Sequence, residues 1–172
     1  MNTNVLNFKF YLLTTKTLLP QLKESLSQAE NCIFIVGPWL DAYFTRIIVD
    51  SITNKNVEVK FIVRIDQGVI DQKTLSALNL ARQSFKNFQA KSLENLHSKV
   101  VLIDNEIFFL GSANWYWYSL HESLETVIKG PTDQIPELIG ELEEYWAKGH
   151  IIPLNEIIKY QDFDPVRTEK KS

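Results

Sequence analysis

The sequence predicts an α/β fold: a layered α/β/α sandwich around a mixed, largely parallel sheet. Three observations predict it. Short apolar runs rich in β-branched residues alternate with longer stretches whose apolar positions recur at helical spacing. Gly and Pro stand at several of the junctions. At 172 residues the chain is most simply one domain with a sizeable core.

Taken in order, Leu6 to Leu13 reads as a first strand. Thr17 is the expected N-cap of a helix in which Leu18, Leu22, Leu26 and Ala29 follow helical spacing, and Pro20 is tolerable in its first turn. Cys32 to Val36 is a buried strand closed by Gly37-Pro38. Asp41 to Thr53 reads as a helix, Val57 to Ile65 as a strand, and Asp71 to Phe85 as a second amphipathic helix. A strand near Phe88 to Leu93 precedes two β-rich runs, Val100 to Ile103 and Ile107 to Leu110, which flank Asp104-Asn105-Glu106 as the arms of a hairpin would. Thr132 to Lys148 is a helix bounded by Pro131 and Gly149. Such alternation implies a sheet covered on both faces. The domain is expected to span residues 1–160, with 161–172 a polar tail. No internal repeat or second domain is visible.

Composition narrows the setting. Cys32 is the single cysteine, so no internal disulfide can form, and it reads as a buried strand residue in a reducing compartment. The apolar stretch Phe8 to Leu13 is interrupted by Lys9 and too short for a signal segment. No run approaches the roughly 20 apolar residues of a membrane span. A cytoplasmic protein without stable membrane association is expected. The formal net charge of -3 is not a general nucleic-acid-binding signature. Its distribution says more: bases outnumber acids from Lys55 to Lys99, and Glu137, Glu141, Glu143 and Glu144 crowd one later helix. Such polarity could steer a phosphate polymer to one side, or it could be two ordinarily solvated faces.

The chemistry concentrates between His97 and Asn114. His97 and Lys99 stand two apart before the first arm of the hairpin, and Gly111-Ser112-Ala113-Asn114 ends the second. Side chains alternate along a strand, so His97 and Lys99 share a face. A two-residue loop at Asn105-Glu106 would pair Asp104 with Ile107, set Lys99 opposite Ser112 and His97 opposite Asn114, and gather all four on one face. A three-residue loop would send Ser112 and Asn114 to the other face. The cluster suits a phosphodiester. A neutral imidazole is a nucleophile toward phosphorus, the Lys ammonium a point charge for a phosphate oxygen, and Asn and Ser are further donors. Nothing in the cluster demands a metal or cofactor.

These residues resemble the signature of the phospholipase D superfamily, H-x-K-x4-D-x6-G-S-x-N, with every fixed position present. Glu125, opening the apolar run Thr126-Val127-Ile128, matches a Glu that members commonly carry downstream. The layout is most similar to the small bacterial nucleases of that superfamily, which carry one motif per chain and work as homodimers. No second His-x-Lys occurs in this sequence. The resemblance implies that His97 is the nucleophile, forming a phosphohistidine, and that His97 of a facing chain is the general acid. It implies that Lys99 and Asn114 hold phosphate oxygens with Ser112 nearby, that Glu125 orients a His97 ring, and that Asp104 and Gly111 support the motif structurally.

Outside the motif, Trp115-Tyr116-Trp117-Tyr118 follows Asn114. These rings could rim the site and stack unpaired bases, but all four cannot face one groove, so alternate rings are expected in the core or a dimer seam. Trp39, after Gly37-Pro38 at a strand end, is the better rim candidate, with Trp115 beside it. His121 and Glu125 stand four apart next to Glu122, but lack a third metal ligand and read as a solvated surface group. His150, after Gly149, reads as a partner for a helix dipole. The resulting expectation is a homodimeric, metal-independent phosphodiesterase, an endonuclease on DNA or RNA. Two alternatives stay open: a phosphatidyl-specific phospholipase or transferase, and a catalytically silent nucleic-acid-binding scaffold.

Overall fold

The computed structural model describes residues 10–160. Its elements in chain order are β1 (Tyr11–Thr14), α1 (Thr15–Ser27), β2 (Cys32–Val36), α2 (Ala42–Ser51), β3 (Glu58–Ile65), α3 (Gln72–Ser84), β4 (Asn87–Glu94), β5 (Val100–Ile103), β6 (Ile107–Gly111), α4 (Trp117–His121), β7 (Thr126–Pro131), α5 (Pro136–Lys148), β8 (His150–Ile151) and α6 (Leu154–Ile157). The part of the expected first strand before residue 10, and the expected polar tail, lie outside the described residues.

Among the described residues the strands form one sheet in the order β1-β7-β6-β5-β2-β3-β4-β8. The sheet is mixed, as predicted, but its parallel share is smaller than predicted. Only β2–β3 and β3–β4 pair in parallel, because only these are joined by crossover helices, α2 and α3. From β2 outward through β5, β6, β7 and β1 every pairing is antiparallel.

Alternation along the strands divides the interior into two layers. Ile33 and Ile35 of β2, Val59, Phe61 and Val63 of β3, and Val101 and Ile103 of β5 pack with Leu18, Leu22 and Leu26 of α1 and with buried residues of α2 and α3. The intervening Phe34, Val36, Ile62, Val100 and Leu102 pack with Leu142 of α5, flanked by Leu138 and Trp146. The sheet is thus covered on both faces. The acidic residues of α5 therefore lie on the sheet face opposite α1–α3.

Several local readings shift by a turn. Thr17 does not cap α1; it sits inside the first turn, where its hydroxyl accepts from the Thr14 N–H at 2.9 Å. The predicted helix from Thr132 begins with a 3-10 turn, Thr132–Gln134, and the α-helix starts at Pro136, whose missing N–H costs nothing at a first position. No helix among the described residues is long and apolar enough to cross a membrane.

Candidate active site

One end of the sheet collects the motif. β5 runs antiparallel to β2, with Val36 opposite Val100, so the residues just before β5 lie at the C-terminal end of β2. Gly111 at the end of β6 pairs with Val127, which brings the start of β7 to the same edge. His97, Lys99, Ser112 and Glu125 all stand at these strand ends. This is where ligands gather in open α/β sheets.

The hairpin register is not the two-residue one. Ile103 pairs with Ile107, which leaves Asp104, Asn105 and Glu106 as a three-residue loop and sets Lys99 against Gly111 instead of Ser112. The cause is Asp104. Its N–H donates to the Cys32 carbonyl at 2.8 Å, and its carboxylate accepts from the N–H groups of Glu30, Asn31 and Cys32 at 2.9, 2.7 and 2.9 Å. Asp104 thus belongs to the start of β2 and is unavailable to Ile107. Both Asp104 and Asn105 take φ of 55°, a left-handed conformation that these residue types tolerate best after glycine.

Strict alternation would then point Ser112 away from Lys99, but the chain leaves the ladder after Gly111. Ser112 N–H donates to the Thr126 carbonyl at 3.0 Å, and its hydroxyl donates to the Glu125 carboxylate and accepts from Thr126 N–H at 3.1 Å. Gly111 makes this turn possible, since a Cβ there would lie 2.6 Å from the Val127 Cα and against the Thr126 carbonyl. The other Glu125 oxygen accepts from the Ser119 hydroxyl at 3.0 Å, and the Ser119 hydroxyl accepts from the Asn114 N–H at 3.3 Å. Ser119 was not legible as a site residue, because nothing in sequence links it to Glu125.

His97 is exposed and Lys99 is buried, 8 % accessible. The Lys99 ammonium donates to the His97 carbonyl at 2.8 Å and lies 3.3 Å from Nδ1 and 3.5 Å from Nε2 of the His97 ring. Burial lowers the pKa of Lys99 below the ordinary lysine value, and the negative charge of Glu125 opposes that shift. Glu125 therefore acts on Lys99 within one chain. Its hydrogen bonds go to Ser112 and Ser119, not to the His97 ring of the same chain. The Asn114 amide donates to the Tyr116 hydroxyl at 3.2 Å, while its own oxygen is buried without a partner.

The rim candidates separate. The Trp39 ring stands edge-on to His97 with centroids 6.3 Å apart, and the Arg64 guanidinium lies 5.9 Å from its centre. Trp115 is not at the rim: it is fully buried. Its ring stacks on Phe44 at 5.2 Å, its indole N–H donates to the Val36 carbonyl at 2.8 Å, and a Cβ on Gly37 would lie 2.6 Å from it. A large ring with an internal acceptor gains more from the core than from solvent. Asp41, read from sequence only as the start of a helix, is a buried clamp on this segment. It accepts from Phe44 N–H at the start of α2 and from Trp117 N–H at 2.8 Å.

His121 ends α4 and is held between Tyr43, whose hydroxyl lies 2.6 Å from Nε2, and the stacked Trp117 ring at 5.1 Å. Glu125 lies beyond α4, so the two do not share a helix face. Among the described residues no group of three or more His, Cys, Asp or Glu converges. His150 forms β8 and pairs with Ser92 of β4.

A family profile described as "Cardiolipin synthase, PLD-like domain" matches residues 19–147. The chain belongs to the phospholipase D superfamily. Solved structures agree in fold. NucT from Helicobacter pylori is similar at 21% identity and a TM-score of 0.71, covering 85% of this chain and 100% of that one. Nuc from Salmonella typhimurium, described as a phospholipase D family member, is similar at 14% identity and a TM-score of 0.69, covering 84% and 99%. A phosphatidylserine synthase from Haemophilus influenzae matches at 13% identity and a TM-score of 0.64, covering 94% of this chain but 46% of the other. No curated protein matches the sequence. In this phospholipase D-like chain, His97, Lys99, Gly111 and Ser112 stand at the strand ends just described, and Asp104 at the far end of β5.

Proposed function

We propose that the protein is a metal-independent phosphodiesterase, an endonuclease that hydrolyses DNA or RNA through a phosphohistidine at a site shared by two copies of the chain. The observation that carries this reading is the exposed His97 ring held within 3.3 Å of the buried Lys99 ammonium at the C-terminal end of β2. A neutral His97 nitrogen attacks phosphorus, forming a P–N bond as the P–O bond to the leaving group breaks. The second copy's His97, protonated, gives its proton to the leaving oxygen. Water then attacks the phosphohistidine, that same imidazole takes a proton from the water, and the P–N bond breaks. Lys99 and Asn114 hold the phosphate oxygens with Ser112 nearby, its hydroxyl proton given to Glu125, and Glu125 supports Lys99 and Ser112.

The shared site is supported by the single motif in this sequence and by the match to NucT and Nuc over 100% and 99% of their chains. Leu124, 97 % exposed next to Glu125, offers apolar surface for an isologous contact there. The test is cleavage of single- and double-stranded DNA and RNA in excess EDTA, with His97→Ala alongside. Cleavage that survives EDTA and falls at least about 10²–10⁴-fold in the variant is expected. Full activity in His97→Ala removes the nucleophile assignment, and full activity at monomeric mass removes the shared site. A phosphatidyl substrate is the second reading, favoured by the matching profile's description. Head-group release from phospholipid vesicles, without cleavage of any polynucleotide, would establish it.

A further inference from the structure

Next to His97 lies a pocket of about 470 Å³ lined by Trp39, Leu40, Tyr116, Trp117, Tyr118 and Lys73, with Asp41 and Asp71 at its wall. The volume falls within the roughly 300–1,000 Å³ typical of small-ligand sites. We infer that this pocket receives one unpaired nucleobase adjoining the scissile phosphate, which makes single-stranded nucleic acid the substrate. The inference rests on the phosphodiesterase reading above and names the substrate of that same site.

Two residues join the pocket to the site. Trp39 lines it and stands edge-on to the His97 ring at 6.3 Å. Tyr116 lines it and its hydroxyl accepts from the Asn114 amide at 3.2 Å. A phosphate bound at His97 and Asn114 therefore places its neighbouring substituent against these rings. In a polynucleotide that substituent is a nucleoside. Trp117 and Tyr118 remain 38 % and 56 % exposed, unlike Trp115, so ring surface is open to an incoming planar group, on Trp117 the side not stacked on His121. The fold presents them in this way because Trp115 is anchored in the core and Asp41 holds the Trp117 N–H.

The lining selects among occupants. The Asp41 and Asp71 carboxylates at the wall oppose an anion inside the pocket. An aromatic cage can also hold a quaternary ammonium. Here both carboxylates accept from backbone N–H groups, Asp71 from Thr74 at 3.1 Å and Asp41 from Phe44 and Trp117. Lys73 lines the same pocket, and the Arg64 guanidinium, itself paired with Asp66 at 2.8 Å, lies over Trp39 on a ring face that a cationic guest would need. A neutral, planar base followed by an anionic backbone meets each of these features. A base held in a duplex would first have to be unstacked and unpaired, a cost of a few kcal/mol that a single strand does not meet.

The test uses the full chain and two oligonucleotides of equal length and charge, one complete and one with every base replaced by an abasic residue. Affinity is read from quenching of tryptophan fluorescence, and cleavage from product release. The complete strand is expected to bind and react roughly ten-fold better or more, and Trp117→Ala is expected to shrink that preference toward unity. A merely structural effect of Trp117 would weaken both strands equally and leave the ratio intact. Equal binding of the two strands by the unaltered protein overturns the inference. So does competition by choline chloride against the complete strand, which would make the pocket a cation cage. If neither strand is cleaved, the phosphodiesterase reading fails, and the ratio of affinities still decides the pocket.

Discussion

Asp104→Ala removes a carboxylate that accepts from three backbone N–H groups at once: Glu30 at 2.9 Å, Asn31 at 2.7 Å and Cys32 at 2.9 Å. The Cys32 N–H is partly buried, and leaving it unpaired costs about 1–3 kcal/mol. The Glu30 and Asn31 bonds are exposed and water replaces their acceptor, so together they account for about 1 kcal/mol. Alanine at φ 55° adds about 1 kcal/mol of left-handed strain. The sum is about 4 kcal/mol, a fall in Tm of about 8–16 °C for a chain of this size. Asp104→Asn keeps an oxygen at the Oδ1 position, which serves both Asn31 and Cys32, and asparagine accepts the left-handed backbone. It is expected to cost about 1 kcal/mol, or about 2–4 °C. Thermal unfolding of the three proteins, with cleavage rates per folded molecule at a temperature where all are native, checks both halves. Asparagine as damaging as alanine would refute the bookkeeping. An Asn variant with unchanged Tm but abolished turnover would refute the structural role and make Asp104 a chemical participant.

Further predictions follow from the same geometry. Lys99→Met, close in length but uncharged, should raise KM and lower kcat together without loss of stability, because it removes a buried charge along with the phosphate contact; a variant of unchanged kcat/KM would show that Lys99 does not meet phosphate. Since burial lowers the Lys99 pKa, its ammonium is lost at lower pH than that of an exposed lysine, so KM should climb on the alkaline side earlier than an ordinary lysine would make it. Glu125→Gln removes the charge opposing that shift and should move the limb to still lower pH; an unmoved limb would disconnect the two residues. Because the proposed cycle needs one neutral and one protonated imidazole, kcat/KM should be bell-shaped, and a flat profile between about pH 5 and 8 would count against it. Gly37→Ala should destabilise by about 1–3 kcal/mol, because its Cβ meets the rigid Trp115 ring at 2.6 Å; denaturant unfolding with an unchanged midpoint would show that the ring can yield.

Elements and motif were largely legible in the sequence, for a local reason. Cys32 to Val36 became β2 with the same bounds, and α2 and α3 differ from their predicted spans by a residue or two, because apolar periodicity and the Asp41 and Asp71 caps are written within each segment. The loop register was not legible. Whether Asp104 pairs across the hairpin or turns to Glu30, Asn31 and Cys32 depends on residues more than seventy positions away. Alternation predicts two of the four aromatic rings inside, yet only Trp115 is buried, while Trp117 and Tyr118 are exposed. Trp115 went inward because Val36 offers a carbonyl and Gly37 leaves room, facts of packing that spacing does not carry.

By itself, the sequence determined the superfamily and the layered α/β class, and it named the residues proposed to meet a phosphodiester, since each depends on residue type and short spacing. Tertiary structure alone decided how those residues assemble: Glu125 reaches Ser112 and Ser119 where β6 leaves its ladder, Lys99 is buried beside His97, and Trp39, Tyr116 and Trp117 close around one pocket. Those contacts join strand ends distant in the chain, and only the packing of the whole sheet sets their distances.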